Sequence, residues 1–147
     1  MAATSVRGKI YEGFASRTVE MATALGLTVG LPNVKFDPPS RSGKRTPYLI
    51  MRVQPNGSSR DGLAFDSDLT HIGLLQISVY WPAGEGLLKP TDMAERVAGW
   101  WDAGTDMEYL GVKFTFDYTP TIAAALQESD LLQVPVTVRW RASEIKP

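Results

Sequence analysis

A chain of 147 residues, 44% hydrophobic and 21% charged, is long enough to bury a core as one domain spanning 1–147, and it has none of the bias of disordered or fibrous proteins. It contains no cysteine, which excludes disulfides, thiolate metal sites and a cysteine nucleophile. A formal charge of -1 gives no electrostatic reason to expect a nucleic-acid partner, and no segment approaches the roughly 20 apolar residues of a membrane span or forms a signal core.

From Thr4 to Leu25, the apolar residues Val6, Ile10, Phe14, Met21 and Leu25 recur at helical spacing, and Gly26 is placed to cap the end. The stretch LTVGLPNVKFDPPSRSGKRTP carries four prolines and two glycines. It predicts an extended crossing with at most a short strand near Val34 to Phe36, and an exposed basic tip at SRSGKR. YLIMRVQ and LLQISVY each alternate apolar and polar residues, the pattern of half-buried strands. Between them PNGSSRDGLAFDSDL, Pro55 to Leu69, is longer than a hairpin needs and polar, which predicts a protruding loop.

The stretch VYWPAGEG, Val79 to Gly86, runs from strand into a glycine turn. A second helix follows, with Met93, Val97, Trp100 and Trp101 on one face, Thr91 or Asp92 as cap and Gly104 as terminator. VKFTFDY aligns Phe114, Phe116 and Tyr118, and QVPVTVRWRA aligns Val134, Val136, Val138 and Trp140, giving two further strands. Pro135 lacks a ladder N–H and predicts that the last strand lies at a sheet edge or carries a bulge. The order helix, two strands, helix, two strands defines an α+β fold. The expected sheet is mostly antiparallel, of four or five strands, with both helices packed on one face.

Reactive motifs are sparse. Strand, glycine loop and helix is the order of a phosphate-binding loop, but after Gly84 and Gly86 the third glycine of a dinucleotide fingerprint is replaced by Lys89. The sequence SGKRT has Pro38 and Arg45 where a P-loop needs glycine and Ser/Thr. His71 is the single histidine, which removes most metal sites and Ser/His/Asp arrangements. Asp61, Asp66 and Asp68 lack the register and terminal glutamate of a calcium loop. Trp100 and Trp101 read as core residues in preference to a base-stacking platform. No catalytic residue, cofactor or metal is expected.

Charge is unevenly distributed. Residues 1–60 hold nine Lys/Arg against three Asp/Glu, and residues 61–147 hold six against thirteen. Such asymmetry fits head-to-tail self-association, or folding interleaves the halves and averages it.

LPNVKFDPP, YLIMRV, HIGLLQISVYWPAGEG and LLQVPVTVRWRA, across Leu31 to Ala142, resemble the tail terminator, or tail completion, proteins of long-tailed bacteriophages and prophages. RSGKRTP, before Tyr48, is longer than usual for that family. The resemblance implies a non-enzymatic α+β subunit of a hexameric ring at the head-proximal end of the tail tube. Such a ring stops tube polymerisation and offers the head-joining surface. The implied partners are further copies of the chain, the major tail tube protein and the head-tail connector or neck protein, with no membrane. No sequence-specific nucleic-acid binding is implied, though DNA passes through the ring lumen. The implied location is the virion tail, in the neck region, after assembly in the host cytoplasm. Exposure places the expected assembly contacts on Arg41, Lys44 and Arg45 of the basic tip and on Arg60, Asp61, Asp66 and Asp68 of the long loop. A neck stopper of similar size, and a small ligand-binding or enzymatic α+β domain, are the alternatives.

Overall fold

The computed structural model describes residues 2–60 and 69–145, with Arg60 placed by its backbone alone. In chain order the elements are α1 (Val6–Leu25), β1 (Thr28–Gly30), β2 (Ser40–Arg41), β3 (Lys44–Arg45), β4 (Tyr48–Arg60) and β5 (Leu69–Pro82). They continue with α2 (Leu88–Gly99), β6 (Met107–Tyr109), β7 (Val112–Thr115), β8 (Thr121–Ile122), β9 (Leu126–Glu128) and β10 (Leu131–Glu144).

The α1 helix starts where Ser5 accepts a hydrogen bond from the Gly8 amide at 3.0 Å. It ends at Gly26, whose left-handed φ of 72° lets the Leu27 amide return to the Ala22 carbonyl at 2.8 Å. Ile10, Phe14 and Met21 are buried, as the helical spacing predicts, and Val6 and Leu25 pack at the margin of the core. The second helix begins earlier than expected, at Leu88, and Thr91 lies inside it. Pro90 is the third helical residue, a position whose N–H has no partner within the helix, so the proline extends the helix backwards without losing a bond.

Among the described residues the main sheet has eight strands, not four or five, and it is mixed. Its order is β1-β4-β5-β10-β7-β6, and β8 and β9 also pair with β10. The parallel member is β1, with Thr28 opposite Tyr48 and Gly30 opposite Ile50. The expected strand at Val34 to Phe36 is absent; the strands of that region are β1 and the separate β2–β3 hairpin. The expected loop after Gln54 is also partly strand. A bulge between Pro55 and Gly57 takes up the proline, and pairing with β5 resumes as far as Arg60 opposite Leu69.

The last strand is central, not an edge. β10 pairs with β5 from Leu131 to Ser143, and along its other side it meets β9, β8 and β7 in turn. Pro135 falls in the gap between β9 and β8, where its carbonyl accepts from the Ala123 amide at 2.9 Å. The N–H and C=O of a strand residue point the same way, so the missing donor faces an interrupted neighbour and no ladder bond is lost.

Both helices lie on the face formed by Leu49, Met51, Leu75, Ile77, Val79, Val134, Val136 and Val138, all buried. The α1 helix touches β1 at one end of the strand order and β6 at the other, so the sheet curls around it. Phe14 is fully buried, with its ring centroid 4.9 Å from Phe114, 5.2 Å from Trp140 and 5.9 Å from Trp101. One turn further on, Arg17 donates to the Trp100 carbonyl from Nη2 at 2.6 Å and Nε at 3.2 Å, and its guanidinium lies 5.2 Å from the Trp100 ring centre. A cation is thereby placed on the C-terminal carbonyls of α2, where the helix dipole favours it. Truncating the shared ring by Phe14→Ala should lower stability by about 3–5 kcal/mol, read from the urea unfolding midpoint. A loss below about 1 kcal/mol would show that the core does not hang on Phe14.

Candidate assembly surface

The basic tip is built as a two-residue hairpin. Arg41 pairs with Lys44 across Ser42 and Gly43, whose φ values of 53° and 77° are those of a type I′ turn. Arg41, Lys44 and Arg45 are all exposed, and the Arg45 guanidinium donates to the Pro38 carbonyl at 2.9 Å. The structure therefore brings these three expected contact residues together. The signal for the turn was present in the sequence as Ser-Gly between Arg and Lys.

A polar cleft of about 760 Å³ separates this hairpin from the VYWPAGEG corner and is lined by Ser40, Lys44, Arg45, Gly84, Glu85 and Asp130. β5 ends at Pro82, Ala83 donates to the Asp130 carbonyl at 3.0 Å, and Gly84 and Gly86 turn the chain at φ 89° and 83°. The glycine pair thus serves as a corner that hands the chain to α2. The corner leaves Leu87 and Leu88 58% and 76% exposed.

Arg60 closes the β4–β5 pairing at the opposite end of these strands from Tyr48 and Pro82, away from the basic hairpin. The Arg60 side chain and Asp61, Asp66 and Asp68 lie outside the described residues. At the base of this hairpin Ser58 Oγ lies 2.7 Å from His71 Nδ1. Burial, reinforced by Arg7, holds the imidazole below its ordinary value of 6.5, with Glu144 opposing. The direction of the Ser58–His71 hydrogen bond follows the imidazole tautomer.

The sheet face away from the helices carries Arg52, Gln54, Leu74, Gln76, Thr137 and Arg139 by strand alternation. Phe36 covers one end of it, packing 5.5 Å from the Tyr48 ring, which stacks on Tyr80 at 4.8 Å. At the other end Arg139 lies 5.0 Å from the Tyr118 ring centre, and Arg141 is paired with Asp117 at 2.6 Å. Tyr118 itself is exposed, unlike Phe114 and Phe116. On the helix side, Asp92, Glu95, Asp102, Asp106 and Glu108 are exposed against Lys89 and Arg96. The α1 helix brings Arg7, Lys9 and Arg17 to this same side, so folding interleaves part of the basic front half with the acidic back half.

Sequence reading missed Glu12, which accepts the Tyr109 hydroxyl on Oε1 and the Ala3 amide on Oε2 at 2.9 Å, joining the N-terminus to β6. That hydrogen bond raises the Tyr109 hydroxyl above its usual range. Nothing in the local sequence pairs residues this far apart. Among the described residues no three His, Asp or Glu side chains gather to hold a metal.

Exposed hairpins and a bare, charged sheet face around a rigid aromatic core are the features of a subunit built for protein contacts. The sequence profile of the phage tail terminator proteins matches residues 9–140, and the chain belongs to that family. It is a structural protein of the phage tail. Two solved structures share the fold. One covers 98% of this chain and 99% of its own at a TM-score of 0.77 and 20% identity. The other, a chain from the virion of a native gene transfer agent particle, covers 96% and 99% at a TM-score of 0.58 and 14% identity. No curated protein matches the sequence.

Because the folded imidazole titrates below the unfolded one, the unfolded chain binds more protons just below pH 6.5. The His71 contribution is complete above about pH 6.5 and is lost as pH falls toward the folded-state value. Between pH 7 and pH 5 the wild-type urea midpoint should fall further than that of His71→Asn. Equal falls would remove His71 as the source.

Proposed function

We propose that this chain is the subunit of a ring, six copies when closed, that caps the head-proximal end of the tail tube. The ring halts tube polymerisation and presents the surface to which the head-tail connector binds. Membership of the tail terminator family over residues 9–140 carries this reading. The fold shared with a chain from the virion of a gene transfer agent particle supports it.

Physical features agree with that role. A ring of identical subunits needs a heterologous contact, in which one surface meets a different surface of the neighbour. The bare face with Arg52 and Arg139, and the helix side with its exposed carboxylates, belong to different sides of the sheet and offer different surfaces. The hairpin carrying Arg41, Lys44 and Arg45 stands clear of the core and is free to reach a neighbouring ring or the neck. Arg60, Asp61, Asp66 and Asp68 are the second set of contacts in this proposal. The role is mechanical, the whole chain acts as one domain without a cofactor, and its place is the neck of the virion after assembly in the host cytoplasm.

Deleting the gene from the parent phage should leave overlong or headless tails in electron micrographs; normal tails joined to heads would refute the capping role. One exposed ion pair contributes only about 0–1 kcal/mol, so a single charge change at the hairpin should be silent. Reversing Arg41, Lys44 and Arg45 to Glu together should abolish ring formation or head joining. If both survive, the hairpin is not a contact.

A further inference from the structure

At the end of the sheet where β5 begins, α1 and the β4–β5 hairpin enclose an open groove of about 340 Å³. Ile10, Tyr11, Val53, Pro55 and Trp140 give it an apolar lining, and Arg7 stands exposed at its side. A cavity of roughly 150 Å³ lined by aliphatic and aromatic groups accepts a benzene ring, so this groove has room for two aliphatic side chains.

The opposite end of the same strand carries what such a groove would take. Leu87 and Leu88 follow the glycine corner, are largely exposed, and stand beside the exposed carboxylate of Glu85. The α2 helix begins at this point without any side chain capping its first amides. Asn56, on the wall of the groove, has a side-chain carbonyl that can accept from an uncapped helix N-terminus. His71 in the groove and Pro82 before the corner are eleven residues apart on β5, about 36 Å at ~3.3 Å per residue, so the two features of one copy cannot meet.

We propose that Leu87 and Leu88 of one copy seat in the α1/β4–β5 groove of a second copy, with Glu85 against Arg7 and Asn56 over the start of α2. Knob and groove lie on different surfaces, so the contact is heterologous and repeats head to tail until it closes. The inference rests on the ring reading for its closure, while the contact itself requires only two copies.

The absence of cysteine makes the test direct. Leu88→Cys and Asn56→Cys, both at exposed positions, are prepared separately, mixed at high concentration and oxidised. The expected product is a reducible dimer joining residue 88 of one variant to residue 56 of the other, identified by mass spectrometry of the linked peptides. It should dominate over the products of either variant alone and over Leu88→Cys mixed with Glu20→Cys, a control on the outer side of α1. Mixed product no more abundant than that control overturns the contact, as does cross-linking of Asn56→Cys in assembled particles to another virion protein alone. Native mass measurement of the wild type separates the two readings. Rings without the 88–56 link leave the ring standing and remove this contact, whereas the link with open chains in place of rings keeps the contact and removes the closed ring.

Discussion

The position of every other element follows from the burial of one ring. Phe14 meets Phe114, Trp140 and Trp101, which come from β7, from β10 and from the segment just after α2. Gly13 makes that approach possible, because a Cβ there would stand 2.9 Å from the Phe114 ring. With Arg17 holding the Trp100 carbonyl one turn later, both helices are fixed to the same face of the sheet. The opposite face then has no helix to cover it, and its residues alternate toward polar and basic types.

A subunit organised in this way separates stability from recognition. The buried aromatic and aliphatic residues set the fold, while the exposed features include a basic hairpin, a charged sheet face and a pair of leucines on a glycine corner. Exposed charges on such surfaces set register and reject wrong partners more than they add affinity. Apolar knobs and grooves supply the affinity that charges do not.

Long elements were legible in the sequence and short ones were not. Ile10, Phe14 and Met21 announce α1, and the alternation in LLQISVY and QVPVTVRWRA announces the two long strands at the centre of the sheet. Strands β1, β6, β8 and β9 are two or three residues each, too short for alternation to register, and they account for the difference between four strands and eight. Proline misled twice for one reason: Pro55 sits at a bulge and Pro135 at a gap between neighbours, and local sequence does not show what lies across the ladder. The basic tip was legible because Arg41, Lys44 and Arg45 are contiguous around a turn. The groove was not, since Arg7, Val53 and Trp140 come from three distant parts of the chain.

The central position of β10 has a mechanical side. Thirteen of its residues are registered against β5, and its other edge is shared among three separate strands. A pull along this strand loads all those cross-strand bonds in shear at once, whereas a pull across it would open them one pair at a time. A structural protein of the phage tail resists load best when tension runs along β10.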